Sequence, residues 1–459
     1  MATIRTVMSF RGTLVVIVLM VLSVLVLGAQ FYPKQHYVPG AGSTPVVTTT
    51  AETSGNPVVG NETLALLKKN GMTFPSKGKS DTLESKQVHV AGKDFKIDYT
   101  LDEELTKYVN KLLGRYRPDY SAVVVIDNNT GNIITATGFQ KDGNKIDPSL
   151  AFSSSHPSAS LFKIITAAAL LQEHQVNPEH TFAFRGKSTT LYNSQIRDPY
   201  SVAGKSQTLK KAFAVSNNVI FGKAALQYCS EKELDVMATK FGYNQDLMAD
   251  IDLSKSHTEI ANSKMEEQLD LASIASGFNT QVKISPVHAA LLSSIIANDG
   301  VLIYPSIVEK VTDVRSGSEV WKRIPSEGRV VNNQVAGALK EMMSLTIKEG
   351  TARKSFRRLR PLLERELLIG GKSGSITGGE PYGKRNWFTM YAIPRDAGLG
   401  KGISISVMNV DIHHMPVKSA MVARNIVEYY FQNHLVHQLV TEHKPQQQQL
   451  RHRGKKSSS

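Results

Sequence analysis

The chain has 459 residues, 41% of them hydrophobic, and a formal net charge of +14. That is ordinary globular composition, which excludes a fibrous or wholly disordered chain and allows one large or two modest domains. The single cysteine, Cys229, excludes an intramolecular disulfide framework, so packing must hold the fold together.

The first element is an apolar run. Leu14 to Ala29 is interrupted only by Ser23 and Gly28, and counting Thr13 to Tyr32 gives 20 residues, enough to span a bilayer. Arg5 and Arg11 precede it and no acidic residue does, so the positive-inside bias makes residues 1–12 a cytoplasmic stub and 13–32 an anchor. The remainder is expected outside the cytoplasmic (inner) membrane, as the periplasmic part of a single-pass protein. A cleaved signal peptide competes through Leu27-Gly28-Ala29, but the run exceeds a typical signal h-region, and no cysteine near it supports a lipoprotein. In that compartment the basic excess meets anionic lipid and wall polymer, and no nucleic acid partner is expected.

Residues 33–90 are rich in Pro, Gly, Ser, Thr and Lys, with Thr63–Lys69 the one helical pattern, and read as a linker. Residues 91–436 alternate strand and helix signals. Ala122–Ile126 and Ile133–Thr137 are β-rich runs across Asp127-Asn128-Asn129-Thr130-Gly131-Asn132, a hairpin pattern. Trp387–Ile393 and Ile403–Asn409 form a second candidate pair, and Val422, Ile426, Tyr429 and Tyr430 line one face of a closing helix. This predicts an α+β fold: an antiparallel sheet flanked by helices, its first and last strands brought together, beside an all-α subdomain. Residues 437–459, with a glutamine run and a basic cluster, read as a disordered tail.

Three motifs carry chemistry. Ser160-Leu-Phe-Lys163 opens an Ala-rich helical run, and residues three apart on a helix share a face, so the Lys163 amine can meet the Ser160 hydroxyl. A serine becomes a strong nucleophile when a nearby base takes its proton, and a lysine does so when burial keeps it neutral. Ser76-Lys-Gly-Lys79 matches the same spacing without helical context, so the local pattern alone is weak. Ser216-Asn217-Asn218 offers a proton relay at Ser216 and, at Asn218, a donor and acceptor for a peptide; a turn or helix cap is the plainer alternative. Gly371-Lys372-Ser373-Gly374-Ser375 ends a β-like run. There Lys372 and Ser373 can face a carboxylate, Gly374 permits close backbone approach, and the Ser375 N–H can join that of Ser160 as an oxyanion hole. A P-loop would need glycine where Glu366 stands.

Together, Ser160-x-x-Lys163, Ser216-x-Asn218 and Lys372-Ser-Gly374, spaced by 56 and 156 residues, resemble the ordered triplet of the penicillin-binding transpeptidases, relatives of the serine β-lactamases. The resemblance implies a D,D-transpeptidase acting on the D-Ala-D-Ala end of peptidoglycan stem peptides. Ser160 would be the nucleophile, Lys163 the base and Ser216 the proton donor to the leaving group, with Asn218, Lys372, Ser373, Gly374 and Ser375 binding substrate. It implies β-lactams as ligands and other cell-wall synthesis proteins as candidate partners. Ser373 stands where the family usually has threonine, and Ala159 where glycine often precedes the nucleophile. We expect a minimal anchored member without a glycosyltransferase domain or long pedestal. D,D-carboxypeptidase or endopeptidase action, a class D-like β-lactamase, and a non-catalytic sensor or divisome scaffold are the alternatives; Asn218 disfavours the class D pattern, which has valine there. No metal or cofactor is expected, since the 13 histidines include no HExxH. His156 is given no role.

Overall fold

The computed structural model describes residues 57–75, 84–197, 204–260, 268–412 and 414–432. The apolar run 13–32, the second Ser-x-x-Lys match at 76–79 and the tail after 432 lie outside them. No helix among the described residues is long and apolar enough to cross a membrane.

The centre is a six-stranded antiparallel sheet. Its chain-order members are β3 (Tyr120–Asp127), β4 (Ile133–Gln140), β5 (Lys145–Ile146), β8 (Leu367–Gly378), β9 (Gly383–Pro394) and β10 (Ile403–Asp411). Their spatial order is β8-β9-β10-β3-β4-β5, so β10 lies against β3 and brings the last strand to the first, as the two hairpin patterns imply. The run Ala122–Ile126 is wholly buried because both faces of the sheet are covered. Alternate residues enter different cores: Val123 and Val125 meet one set of helices, Ala122, Val124 and Ile126 the other.

On the first face lie α2 (Glu103–Tyr116) and α10, a helix over residues 419–432. Val422 and Ile426 are buried there, and Tyr429 stacks on Tyr108 with centroids 3.9 Å apart. The second face is covered by α8 (Pro286–Ala297), whose every residue is buried. Such all-round burial suits a sequence with no polar stripe. Hydroxyls join the helix to the sheet: Ser293 of α8 meets Thr389 of β9 at 2.6 Å, and Ser406 of β10 donates to the Pro286 carbonyl at 2.6 Å. Beyond α8 sits the helical region: α3 (Lys163–Gln172), α4 (Leu209–Ala214), α5 (Asn218–Tyr228), α6 (Glu231–Lys240) and α7 (Gln268–Ser276), with α9 (Asn333–Lys348) packing on both α4 and β8.

The span read as a linker contains regular structure. Helix α1 (Pro57–Lys69) buries Leu64 and Leu67, and β1 (Ser85–Val90) pairs with β2 (Lys93–Tyr99). A second sheet, ordered β1-β2-β6-β7, is completed by β6 (Val308–Asp313) and β7 (Glu319–Lys322). Its two hairpins, β1-β2 and β6-β7, lie more than two hundred residues apart, so no local signal announced their pairing.

Candidate active site

The chain enters the site through a tight turn. A 3-10 turn, Ala159–Phe162, leads into α3, and Ala159 has φ +49°, a left-handed conformation that costs an L-residue roughly 1–2 kcal/mol. The same conformation explains why glycine suits this position. Two glycines clamp the turn: a Cβ on Gly277 would lie 1.9 Å from the Ala159 carbonyl oxygen, and one on Gly374 would lie 3.2 Å from the Ala159 Cβ. Gly277 itself has φ +65°, so both space and backbone demand glycine there.

Lys163 is the first residue of α3 and has no solvent exposure. Its Nζ lies 2.9 Å from Ser160 Oγ, 2.7 Å from Asn218 Oδ1 and 2.5 Å from the Ser276 carbonyl. The Ser276 carbonyl ends α7 and lacks an intrahelical partner, which is why it is free to accept. Burial, and secondarily the charge of Lys372, hold the Lys163 pKa well below the ordinary lysine value of 10.5. A neutral amine has two N–H groups and one lone pair. Asn218 Oδ1 and the Ser276 carbonyl can only accept, so they take both hydrogens, and the lone pair is left facing the Ser160 hydroxyl. That is the geometry of a general base on its nucleophile.

Asn218 is oriented by its other end: Nδ2 donates to the Thr189 carbonyl at 3.0 Å, and the backbone N–H donates to the Ser188 carbonyl at 2.7 Å. Both amide atoms are thus engaged by the protein. Each still has capacity to spare, since Nδ2 carries a second hydrogen and Oδ1 a second lone pair. As a buried residue at the start of α5, Asn218 also holds Lys163 through Oδ1. The capping role falls to its neighbour Asn217, whose side chain accepts from the Ile220 N–H at 3.1 Å.

Ser216 also has a left-handed backbone, with φ +61°. It makes no hydrogen bond to Ser160 or Lys163 among the described residues. Its Oγ instead accepts from Lys372 Nζ at 2.9 Å. Lys372 extends from β8, is fully buried 5.5 Å from the Phe213 ring centroid, and donates again to the Ser373 carbonyl at 2.8 Å. Burial lowers its pKa from 10.5 to about 7. Along the same strand Ser373 is half-buried and Ser375 exposed, and the Ser373 hydroxyl meets Thr351 Oγ1 at 2.5 Å. The structure therefore gathers Ser160, Lys163 and Asn218 in one cluster and Ser216, Lys372 and Ser373 in another, with Gly374 against Ala159 linking them.

Sequence reasoning did not find Gly277, Ser276, Thr189 or Thr351. Each acts through a backbone group or a contact between distant segments, for which residue type gives no signal. His156, just upstream, is buried with both ring nitrogens unpartnered among the described residues, and burial followed by the Arg385 charge lowers its pKa to about 4. It is a neutral core histidine packed edge-on to Trp387. Among the described residues no group of three or more His, Cys, Asp or Glu side chains is placed to hold a metal ion.

Residues 121–407 match the family model described as penicillin binding protein transpeptidase domain. Stage V sporulation protein D of Bacillus subtilis is 24% identical over 292 residues, covering 61% of this chain and 43% of that protein. The peptidoglycan D,D-transpeptidase PbpA of Mycolicibacterium smegmatis is 28% identical over 199 residues, covering 42% of this chain and 39% of that protein. The chain thus matches less than half the length of these relatives. Among solved structures, the D,D-transpeptidase domain of a peptidoglycan glycosyltransferase from Eggerthella lenta is similar with TM-score 0.59 at 20% identity, covering 74% of this chain and 83% of that one. Penicillin-binding protein 3 of Mycobacterium tuberculosis, complexed with aztreonam, is similar with TM-score 0.58 at 20% identity, covering 74% and 79%. The match over more than half of its residues, on the fold described above, places the chain in the penicillin-binding protein transpeptidase domain family.

Proposed function

We propose that this chain is a serine D,D-transpeptidase of peptidoglycan synthesis, with Ser160 as nucleophile and D-Ala-D-Ala stem peptides as acyl donors. The observation that carries the reading is the buried Lys163 amine, 2.9 Å from Ser160 Oγ with two acceptor oxygens as its other neighbours, a geometry in which the neutral amine turns its lone pair to Ser160. Lys163 takes the hydroxyl proton as Ser160 Oγ bonds to the carbonyl carbon of the penultimate D-Ala. The developing oxyanion is held by the Ser160 and Ser375 N–H groups, an arrangement whose donors typically contribute about 3 kcal/mol each. The C–N bond to the terminal D-Ala then breaks, and its nitrogen receives a proton through Ser216, which Lys372 holds ready as a donor. Ser373 hydrogen-bonds the terminal carboxylate. An acceptor amine next attacks the ester carbon and gives its proton back through Ser216 to Lys372, and the new peptide leaves as Lys163 returns the first proton to Ser160 Oγ.

The tuning of the two lysines supports this division. Burial and the Lys372 charge favour the neutral, basic form of Lys163, whereas Lys372, at about 7 when empty, gains its proton more readily once a carboxylate arrives beside it. On this reading the chain works outside the cytoplasmic membrane, held by the run 13–32, and β-lactams enter the site as mimics of the acyl donor. The test is product analysis with a D-Ala-D-Ala pentapeptide and an amino acceptor, alongside a chromogenic cephalosporin. Acceptor-dependent release of D-Ala with cephalosporin turnover far below about 1 per second supports the proposal. Rapid cephalosporin turnover would make the protein a β-lactamase, and release of D-Ala without acceptor incorporation would make it a carboxypeptidase.

A further inference from the structure

One contact of the third motif comes from outside the three motifs. Helix α9 ends at Lys348, and the turn after it, Glu349-Gly350-Thr351, touches two of the motif-bearing segments together. Glu349 pairs with Lys211 of α4 at 2.8 Å. The Thr351 N–H donates to the Ala214 carbonyl at 3.1 Å, two residues before Ser216. Gly350 is what permits this approach, since a Cβ there would lie 2.1 Å from the same carbonyl oxygen. With its backbone fixed on the second motif, Thr351 puts its hydroxyl 2.5 Å from Ser373 Oγ on the third. Thr351 is exposed and Ser373 half-buried, so the pair faces the open side of the strand, not the core.

A hydroxyl carries one hydrogen and two lone pairs. An ionised carboxylate only accepts, so Ser373 must give it that one hydrogen, and the bond with Thr351 must then run from Thr351 to Ser373. We propose that Thr351 is a positioning residue of the carboxylate subsite, donating its hydroxyl hydrogen to Ser373 so that the Ser373 hydrogen is aimed at the substrate's carboxylate. A serine rotor has no methyl group to fix it, and the Thr351 bond supplies the missing constraint. Each hydroxyl in such a chain also polarises the next, which strengthens the final bond to the charged acceptor. Thr351 touches no reacting atom and acts only through Ser373.

This inference rests on the reading of Ser160 as an acyl-enzyme nucleophile, and the test separates the two. Acylation by benzylpenicillin and by its methyl ester is followed for the full chain as wild type, Thr351→Val, Thr351→Ser, Ser373→Ala and the Thr351→Val/Ser373→Ala double variant. Valine keeps the shape and the backbone N–H on Ala214, so urea unfolding is expected to stay at the wild-type midpoint. Thr351→Val is expected to lower the second-order acylation constant for the free acid about tenfold, through weaker binding and not a slower limiting step, the upper end of what one neutral hydrogen bond contributes. With the methyl ester the loss is expected below about threefold, Thr351→Ser should retain near wild-type reactivity, and Thr351→Val should add nothing in the Ser373→Ala background. Equal losses with acid and ester, additive effects in the double variant, a serine variant as poor as the valine one, or no loss at all would overturn the Thr351 role while leaving the acyl-enzyme intact. A wild-type protein that takes up no penicillin would instead remove the reading on which it rests. If Thr351→Val does not fold, Thr351→Ser still decides through its acid-to-ester ratio, which must stay at the wild-type value.

Discussion

Replacing Lys372 by methionine is expected to make the protein more stable and nearly inactive. Lys372 is fully buried, and its pKa falls from 10.5 to about 7. The folded state therefore disfavours the ammonium, and between pH 7 and 10.5 the unfolded chain binds more protons, so wild-type stability rises with pH across that window and the full penalty is present below pH 7. At about 1.4 kcal/mol per tenfold, the penalty is roughly 4 kcal/mol at pH 7 and about 1 kcal/mol at pH 9.5. Methionine keeps an unbranched apolar stem beside Phe213 but gives up the bonds to Ser216 Oγ and the Ser373 carbonyl, an opposing loss of about 1–2 kcal/mol. The balance predicts Lys372→Met more stable by about 2 kcal/mol at pH 7, with the advantage gone by pH 9.5. Urea unfolding at both pH values measures this. A variant less stable than wild type at pH 7, or a difference independent of pH, would refute the claim that Lys372 is held in the fold at an electrostatic cost.

Other perturbations follow from the same geometry. Asn218→Asp puts a carboxylate 2.7 Å from the Lys163 amine and favours its protonated form, so the acidic limb of the acylation pH profile should move up by about one pH unit or more; an unmoved limb would contradict Lys163 as base. Gly277→Ala drives a methyl into the Ala159 carbonyl at φ +65°, and should lose acylation together with at least about 2 kcal/mol of stability, read by penicillin labelling and urea unfolding. Ala159→Gly relieves the left-handed strain but empties a methyl-sized space and loosens the unfolded chain, effects of about 1 kcal/mol each; the unfolding midpoint should therefore move little, and a large destabilisation would mean the turn depends on that methyl.

The main sheet was legible because its strands carry local signals. Ala122–Ile126 is a short β-branched run bounded by turn residues, and the apolar spacing of Val422, Ile426 and Tyr429 marks the last helix. The second sheet was not legible: Ser85–Val90 buries only Val88 and Val90, and the strand completing its hairpin's sheet begins at Val308. A half-exposed strand with so distant a partner resembles a linker in composition. At the site, the motifs identified which side chains carry chemistry, but not how they divide. That division comes from backbone geometry. Ser216, at φ +61°, directs its hydroxyl to Lys372, and Asn218, the first residue of a buried helix, reaches Lys163. Gly277 and Ser276 lie more than a hundred residues from Ser160, and their contribution is a bare backbone and a helix-terminal carbonyl, neither of which residue type reveals.

The central claim is that Ser160 forms a covalent acyl-enzyme. Intact-mass analysis after incubation with benzylpenicillin, followed by peptide mapping, tests it most directly, with Ser160→Ala as the comparison. One penicillin per wild-type chain on the peptide containing Ser160, and none on Ser160→Ala, is the predicted result. An unlabelled wild type, or an equal adduct on both proteins, would contradict the account.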